Sequence, residues 1–235
     1  MRRKLWVLGF LIALSGCASS RGFDRGALSD ALDTETQVTE EDIQKVLDLR
    51  PQLPNPFRLG IFFKDSSGYS GPYSHSLDAS HWQPSDKQKI LQIGESLKSS
   101  GVVSDTTFIS GETSRGQDLK SVRLAGARHG VDAVLVVSGV ADVDRYNNSL
   151  GPTYALIITP FFVPGTVVDA LFISHAGLWD VRNEFLYASA EADGFARQTR
   201  SAFLIREDEA VSVARDRSIT ELATAIEKHV QNLRD

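Results

Sequence analysis

Asp132-Ala133-Val134-Leu135-Val136-Val137-Ser138-Gly139-Val140 (DAVLVVSGV) decides the fold. Its run from Ala133 to Val137 is wholly apolar, as expected of a strand covered on both faces. Directly upstream, Asp118 to His129 reads as a helix closed by Gly130. A helix that stops at a glycine and passes straight into a buried strand is half of an α/β unit, and the chain repeats the pattern outward. Upstream, Val102 to Ile109 is a second strand and Gly111 to Gly116 a loop. Pro84-Ser85-Asp86 starts a helix with Ser85 as its cap; Ile90, Ile93 and Leu97 form the inward stripe and Gly101 closes it. Phe57 to Phe63 (FRLGIFF) is short, apolar and a further buried strand. Downstream, Asp142 to Gly151 is polar with the turn-forming pair Asn147-Asn148. Thr166 to Val181 and Glu184 to Ala192 read as two strands joined by the turn Asp180-Val181-Arg182-Asn183, and Ala192-Asp193-Gly194 ends the sheet. A final helix runs from about Glu207 to Leu233, with Val211, Ile219, Leu222, Ala223, Ile226 and Val230 at helical spacing. The order β-α-β-α-β-β-β-α predicts an α/β (α+β) fold: a mixed sheet of about five strands, helices packed on it, and a long C-terminal helix.

The N-terminus carries a different kind of information. Arg2, Arg3 and Lys4 precede an apolar run from Leu5 to Leu14, and Leu14-Ser15-Gly16-Cys17 follows. A basic head, a short apolar stretch and small residues make a secretory signal, too short to span a bilayer. Leu-small-small-Cys resembles a bacterial lipobox, in which the cysteine thiol takes a diacylglycerol and becomes the new N-terminus. Cys17 is the sole cysteine of the 235 residues, so lipidation also accounts for a thiol with no partner. Ala18 and Ser19 follow it in place of the aspartate that retains such proteins at the inner membrane, so the resemblance implies an outer-membrane, lipid-anchored protein with its domain in the periplasm. The expected organisation is a signal peptide over residues 1–16, a lipidated tether with one short helix over 17–53, and a single α/β domain over 54–235. Ala18 to Val38 reads as flexible and polar. In the short helix Thr39 is the N-cap, Glu40, Glu41 and Asp42 the acidic first turn, and Ile43, Val46, Leu47 and Arg50 one face; Pro51, Pro54 and Pro56 end it.

The hydrophobic share of 42% and charged share of 23% are those of an ordinary globular protein. Removing Arg2, Arg3 and Lys4 takes the formal net charge from −5 to −8. No basic run remains, which argues against nucleic-acid binding. One cysteine allows neither an internal disulfide nor a thiolate metal cluster.

Two segments carry a family resemblance. Leu124-Ala125-Gly126-Ala127-Arg128-His129-Gly130-Val131-Asp132-Ala133-Val134-Leu135-Val136, a helix ending in Gly-Val-Asp before an apolar strand, resembles envelope lipoproteins with the fold of the TolB N-terminal domain and the curli-secretion lipoprotein CsgG. The hairpin from Leu178 to Tyr187 is similar to their D-x-R-T-G-x-L-L-W turn. Within that group, Tyr154–Gly194, with Pro164-Gly165-Thr166-Val167-Val168-Asp169 and Ala192-Asp193-Gly194, resembles the rhombotarget lipoproteins. Their C-terminal tail of glycines, an apolar span and basic residues is replaced here by a polar helix ending at Asp235, so rhomboid-type sorting is not expected. The resemblance implies the fold and the compartment and brings no activity or cofactor with it.

Catalytic signals are weak. His75, Asp78 and His81 fall within seven residues of a long polar loop, Lys64 to Pro84, without helical HExxH spacing or an obvious third ligand. His129 at a helix end fits capping, and His175 in a strand fits packing. No Gly-x-Ser-x-Gly elbow occurs, and neither Gly68/Gly71 nor Gly111/Gly116 forms a phosphate-binding loop. Trp82, Tyr69 and Tyr73 offer either a binding surface or a cover for the core edge. Tyr154 to Val163 (YALIITPFFV) is apolar but broken by Pro160, which suits a central strand poorly. Its residues Tyr154, Leu156, Ile158, Phe161 and Phe162 are therefore candidates for contact with a partner chain or the membrane. The leading expectation is a non-enzymatic docking or assembly lipoprotein, held by acyl chains and associating with itself or another envelope protein. The alternatives are a small-ligand or glycan-binding domain and a metal-dependent hydrolase, both using the 64–84 loop.

Overall fold

The computed structural model describes residues 19–32, 39–65, 82–155 and 158–234. Its elements in chain order are helices α1 (Arg25–Leu32) and α2 (Glu40–Leu47), strand β1 (Phe57–Phe63), α3 (Pro84–Ser99), β2 (Val103–Ile109), the short α4 (Gly111–Ser114), α5 (Leu119–Arg128) and β3 (Ala133–Asn147). A 3-10 turn (Gly151–Ala155), the short α6 (Thr159–Phe162), β4 (Thr166–Asp180), β5 (Leu186–Arg200), α7 (Glu207–Gln231) and a 3-10 turn (Asn232–Arg234) follow. The five strands form one mixed sheet in the order β2-β1-β3-β4-β5. β1 runs parallel to both β2 and β3, while β3, β4 and β5 are antiparallel neighbours. This is the expected α+β architecture.

The core is in two layers because β3 is apolar on both sides. Ala133, Leu135 and Val137 face the cluster with α3 and α7, which holds Ile90, Leu97, Phe172, Ile219, Leu222 and Ile226. Val134, with Val136 packed against it, faces α5 through Val122 and Ala125. Gly126 lets α5 come close: a Cβ there would lie 2.7 Å from Val134 and 3.1 Å from Val181. Trp82 covers the core edge, its indole N–H donating to the Lys64 carbonyl at 2.9 Å and its ring edge-on to Phe63 and Phe172.

Four local readings are corrected. The third strand does not stop at Val140 but continues to Asn147. Its polar half alternates, so Asp142 and Asp144 share one face and Ala141 and Val143 the other, which is strand periodicity. The last strand does not end at Ala192-Asp193-Gly194 but runs to Arg200, paired with β4 from Ala188 to Arg200 without a break. Gly194 is the crossing point of α7, not a turn. Residues 111–114 are a short helix rather than loop, followed by Arg115 in the left-handed region at φ 56°. The first cap of α3 is Gln83, with Pro84 in the first helical turn and Asp86 accepting from the Gln83 N–H at 2.9 Å; Ser85 lies inside the helix. Thr39 caps α2 as expected, through a reciprocal pair of bonds with Asp42.

The largest difference lies before α2. Within the segment read as a flexible tether, residues 20–32 are docked. Leu28 of α1 is fully buried against Val140, Leu171 and Ile173, with Phe23 and Leu32 packed beside it. α5 covers only one end of that sheet face, so α1 supplies the missing cover at the other end.

Candidate functional site: an aspartate clasp on the segment after Cys17

β3 carries Asp142 and Asp144 two residues apart, so both carboxylates leave the same face of the sheet, and both are buried. A buried carboxylate is tolerated only when its oxygens are matched. Here the chain just downstream of Cys17 reaches Oδ2 of Asp144 and Oδ1 of Asp142, while Asp142 Oδ2 has no hydrogen-bond partner among the described residues. Asp144 Oδ2 accepts from the Ser20 hydroxyl at 2.6 Å, the Arg21 backbone N–H at 3.0 Å and the Gly22 backbone N–H at 3.1 Å. Gly22 is at φ 72°, a left-handed conformation that aims its N–H at the same oxygen. Arg21 bonds to Asp142 and donates to the Val143 carbonyl at 2.9 Å. Farther along, Arg25 pairs with Asp193 of β5 at 2.7 Å, and Phe23 meets Phe195 edge-on at 6.2 Å between centroids. Three strands thus hold one short segment by charge, backbone donors and an apolar helix face.

Losing the clasp should release the segment without unfolding the sheet. Asp144→Ala removes three bonds to one carboxylate, worth about 1.5–3 kcal/mol together where a charged acceptor is involved. Limited trypsin digestion of the purified protein should then cut after Arg21 and Arg25 at least about tenfold faster, since cleavage tracks the population of the open form. Unchanged cleavage would show that α1 is held by Leu28 and its neighbours alone.

Next to the clasp, on the same face, Asp169 of β4 pairs with Asp144 in the sheet register. Its carboxylate takes both Nε and Nη2 of Arg197, at 2.7 and 2.8 Å, and the Tyr146 hydroxyl at 3.2 Å. These acids are committed to guanidinium and backbone donors. Among the described residues no group of three or more His, Cys, Asp or Glu could hold a metal ion.

The connections leaving this end of the sheet carry exposed apolar side chains. In the β3–β4 connection Ile158 is 69% exposed and Phe162 82%, with Phe161 half-exposed. In the β5–α7 connection Phe203 is 65% and Leu204 64% exposed. Phe161 stacks on Phe203, with centroids 4.3 Å apart and planes within 4°. Tyr154 is different from its neighbours in sequence. Its hydroxyl donates to the Val163 carbonyl at 2.9 Å and accepts from the Gly165 N–H at 2.8 Å, so it fixes the loop rather than presenting a surface.

At the opposite end of the sheet the two segments that carry the family resemblance interlock. Asp132 accepts from the Arg58 backbone N–H and from its Nε and Nη2, each at 3.0 Å, and from Arg182 Nη2 at 2.8 Å. Hydrogen bonding from the Arg58 side chain holds this carboxyl well below the usual carboxylate range against the opposing effect of burial, with the Arg58 N–H and Arg182 adding to it. Asp180 accepts from the Arg182 N–H at 2.7 Å and from the Tyr187 hydroxyl at 2.7 Å. Burial and that acid push the Tyr187 hydroxyl up to about 12. A cavity of about 320 Å³ lies beside Tyr187, lined by Pro51, Leu53, Pro54, Phe57 and Phe185. The Tyr187 hydroxyl is already taken by Asp180 and the Gln52 N–H.

Of the residues singled out in the sequence, Cys17, His75, Asp78, His81, Tyr69, Tyr73 and Leu156 lie outside the described residues. Phe161 comes together with Phe162 and with Phe203, and sequence reasoning missed Phe203 and its exposed neighbour Leu204. Asp142 and Asp144 were missed as well; their alternation on an extended stretch was the available signal. His129 stands at the C-cap of α5, as its position beside Gly130 suggested.

No family model matches the chain and no curated protein matches it. Solved structures that share some likeness include a minor lipoprotein from Acinetobacter baumannii, at 12% identity and a TM-score of 0.35 over 76% of this chain and 95% of that one. A lipoprotein from Neisseria meningitidis shows 11% identity and a TM-score of 0.34 over 75% and 99% of the two chains. The PelC dodecamer from Paraburkholderia phytofirmans shows 14% identity and a TM-score of 0.30 over 75% and 90%. At TM-scores this low the likenesses carry no weight for fold or function.

Proposed function

We propose that this chain is an envelope lipoprotein: anchored through an acylated Cys17 at the outer membrane, its α/β domain acts by docking or assembly rather than by catalysis. The observation that carries the reading is the pairing of Leu14-Ser15-Gly16-Cys17 with the clasp at Asp142 and Asp144. A domain that takes hold of its own chain three residues after the lipobox cysteine has a use for where that cysteine is held. Two or three acyl chains give lasting attachment at about 0.8 kcal/mol per buried methylene. No helix among the described residues is long and apolar enough to cross a membrane. The buried carboxylates of Asp132 and Asp169 are each paired with arginines, which favours a structural role for them.

The test is metabolic labelling with a fatty-acid probe in a bacterial host. The wild-type chain should take up label and sediment with outer membranes. Cys17→Ser should take up none and appear in the soluble periplasmic fraction. Label that survives the substitution would remove the basis of the proposal.

A further inference from the structure

We propose that the end of the sheet bearing Ile158, Phe161, Phe162, Phe203 and Leu204 lies against the lipid surface, with these side chains inserted at headgroup level beside the acyl anchor. The inference rests on the anchoring of Cys17 and adds to it the orientation of the domain.

Chain length and sheet register bring the two together. Ser20 is bonded to Asp144, and Cys17 is three residues earlier, so a fully extended chain puts the acylated residue within about 11 Å of Ser20. Asp144 is itself three rungs from the last pair of the sheet, Asn147 with Thr166, a distance of about 10 Å along the strand. Thr166 also pairs with Arg200, the last residue of β5. The two connections that carry the apolar side chains leave from this rung, one after Asn147 and the other after Arg200. The bilayer to which Cys17 is tied is therefore close to the patch. It is far from the other end: from Asp169 to Asp180 along β4 is about 36 Å.

The chemistry of the patch fits lipid. Large apolar side chains, three of them phenylalanines, stand out from the two connections, of which the β3–β4 connection is fixed to the sheet by Tyr154. An exposed cluster of that kind marks an interaction surface, and aromatic and aliphatic groups at a membrane's headgroup level bury apolar area without having to cross it. The arginines around it are balanced. Arg145 pairs with Glu207, Arg200 with Glu209 and Arg206 with Asp208, so attraction to anionic headgroups is offset and insertion of apolar side chains carries the contact. Phe162 inserts first because it is the most exposed of the set.

The experiment uses the full lipidated protein, reconstituted into vesicles of phosphatidylethanolamine and phosphatidylglycerol that include lipids brominated along the acyl chain. Phe162→Trp places an indole in the patch, and Leu124→Trp places one on exposed α5 near the opposite end; the unsubstituted protein gives the background from Trp82 and Trp179. Both sites are solvent-facing, so neither variant threatens the fold. Emission from the indole introduced by Phe162→Trp should fall by about half in brominated vesicles, and that from Leu124→Trp should not change. Adding Asp144→Ala to Phe162→Trp should reduce the quenching while the protein still floats with the vesicles. Flotation with no quenching of Phe162→Trp overturns lipid docking and leaves the anchor intact; if sedimentation then shows self-association that Phe162→Ser abolishes, the patch belongs to a second copy of the chain. Failure to float at all overturns the anchor and the docking together.

Discussion

Gly194→Ala is expected to be the most damaging single methyl in the protein. α7 crosses β5 at this residue, and a Cβ there would lie 2.0 Å from the Ala214 carbonyl oxygen and 2.7 Å from the Ser218 nitrogen. Both atoms are helix backbone, so no side-chain rotation relieves the clash; the helix must lift off the sheet. Lifting it opens the contact that buries Ala190, Ala196, Ala210 and Ala214, and it breaks the Ser218 hydroxyl's bonds to Ser174 at 2.6 Å and to the Ala192 carbonyl at 3.0 Å. The cost should reach or exceed about 3 kcal/mol, the upper end for overpacking a close-packed interior. Urea unfolding followed by circular dichroism checks it, with Gly111→Ala as control. A Cβ at Gly111 meets nothing within 4 Å, so that variant should stay within about 0.5 kcal/mol of the unsubstituted protein. A Gly194→Ala midpoint that matched the control would mean α7 does not pack this closely.

Asp132→Ala should cost about 2–3 kcal/mol, somewhat less than breaking a fully buried ion pair, because Arg58 and Arg182 are each about half exposed and can be rehydrated. The loss falls mainly on the Arg58 N–H, left without its acceptor, and on the tie between β1, β3 and the β4–β5 turn. The same carboxylate sets a pH dependence. Its folded-state pKa is depressed, so between that value and about 3.9 the unfolded chain binds more protons than the folded one. Stability from this group is therefore complete above about pH 5 and falls progressively as pH drops below 4 toward the folded-state value. Asp132→Asn should flatten that part of the acid limb. Denaturation midpoints from pH 6 to pH 3 measure it; an acid limb identical to that of the unsubstituted protein would exclude Asp132 as its source.

These two variants act at the crossing of α7 and at the end of the sheet away from Asn147 and Thr166, whereas Asp144→Ala acts at the clasp. Asp132 is separated from the clasp along the strands, and Gly194, between Asp193 and Phe195, is separated from it by facing α7. Gly194→Ala and Asp132→Ala should lower global stability, while Asp144→Ala should change access to residues 20–32 and the seating of the patch. A loss of vesicle quenching in Asp144→Ala at an unchanged unfolding midpoint would separate orientation from folding.

Local chemistry alone was enough for most of the element order. Phe57–Phe63, Ala133–Val137 and the stripe of α7 are apolar at the period of their own backbone, and Gly101 and Gly130, at φ 77° and 69°, stop helices whatever lies around them. The resemblance of Leu14-Ser15-Gly16-Cys17 to a lipobox likewise rests on contiguous residues and needs no fold. The tertiary structure decided what depends on distant partners. Asp142 and Asp144 look like loop residues until Ser20 and Arg21, more than 120 positions away, bond to them and β4 pairs with β3 as far as Asn147. The small residues of β5 look like the end of a sheet until α7 lies across Gly194. Residues 20–32 are polar enough to read as tether, and only Val140, Leu171 and Ile173, left bare where α5 ends, give Leu28 somewhere to go. Periodicity is a property of a segment and can be seen in it; the pairing of a buried charge or the cover of an apolar face is a property of two segments, and the chain has to fold before either one shows what it is for.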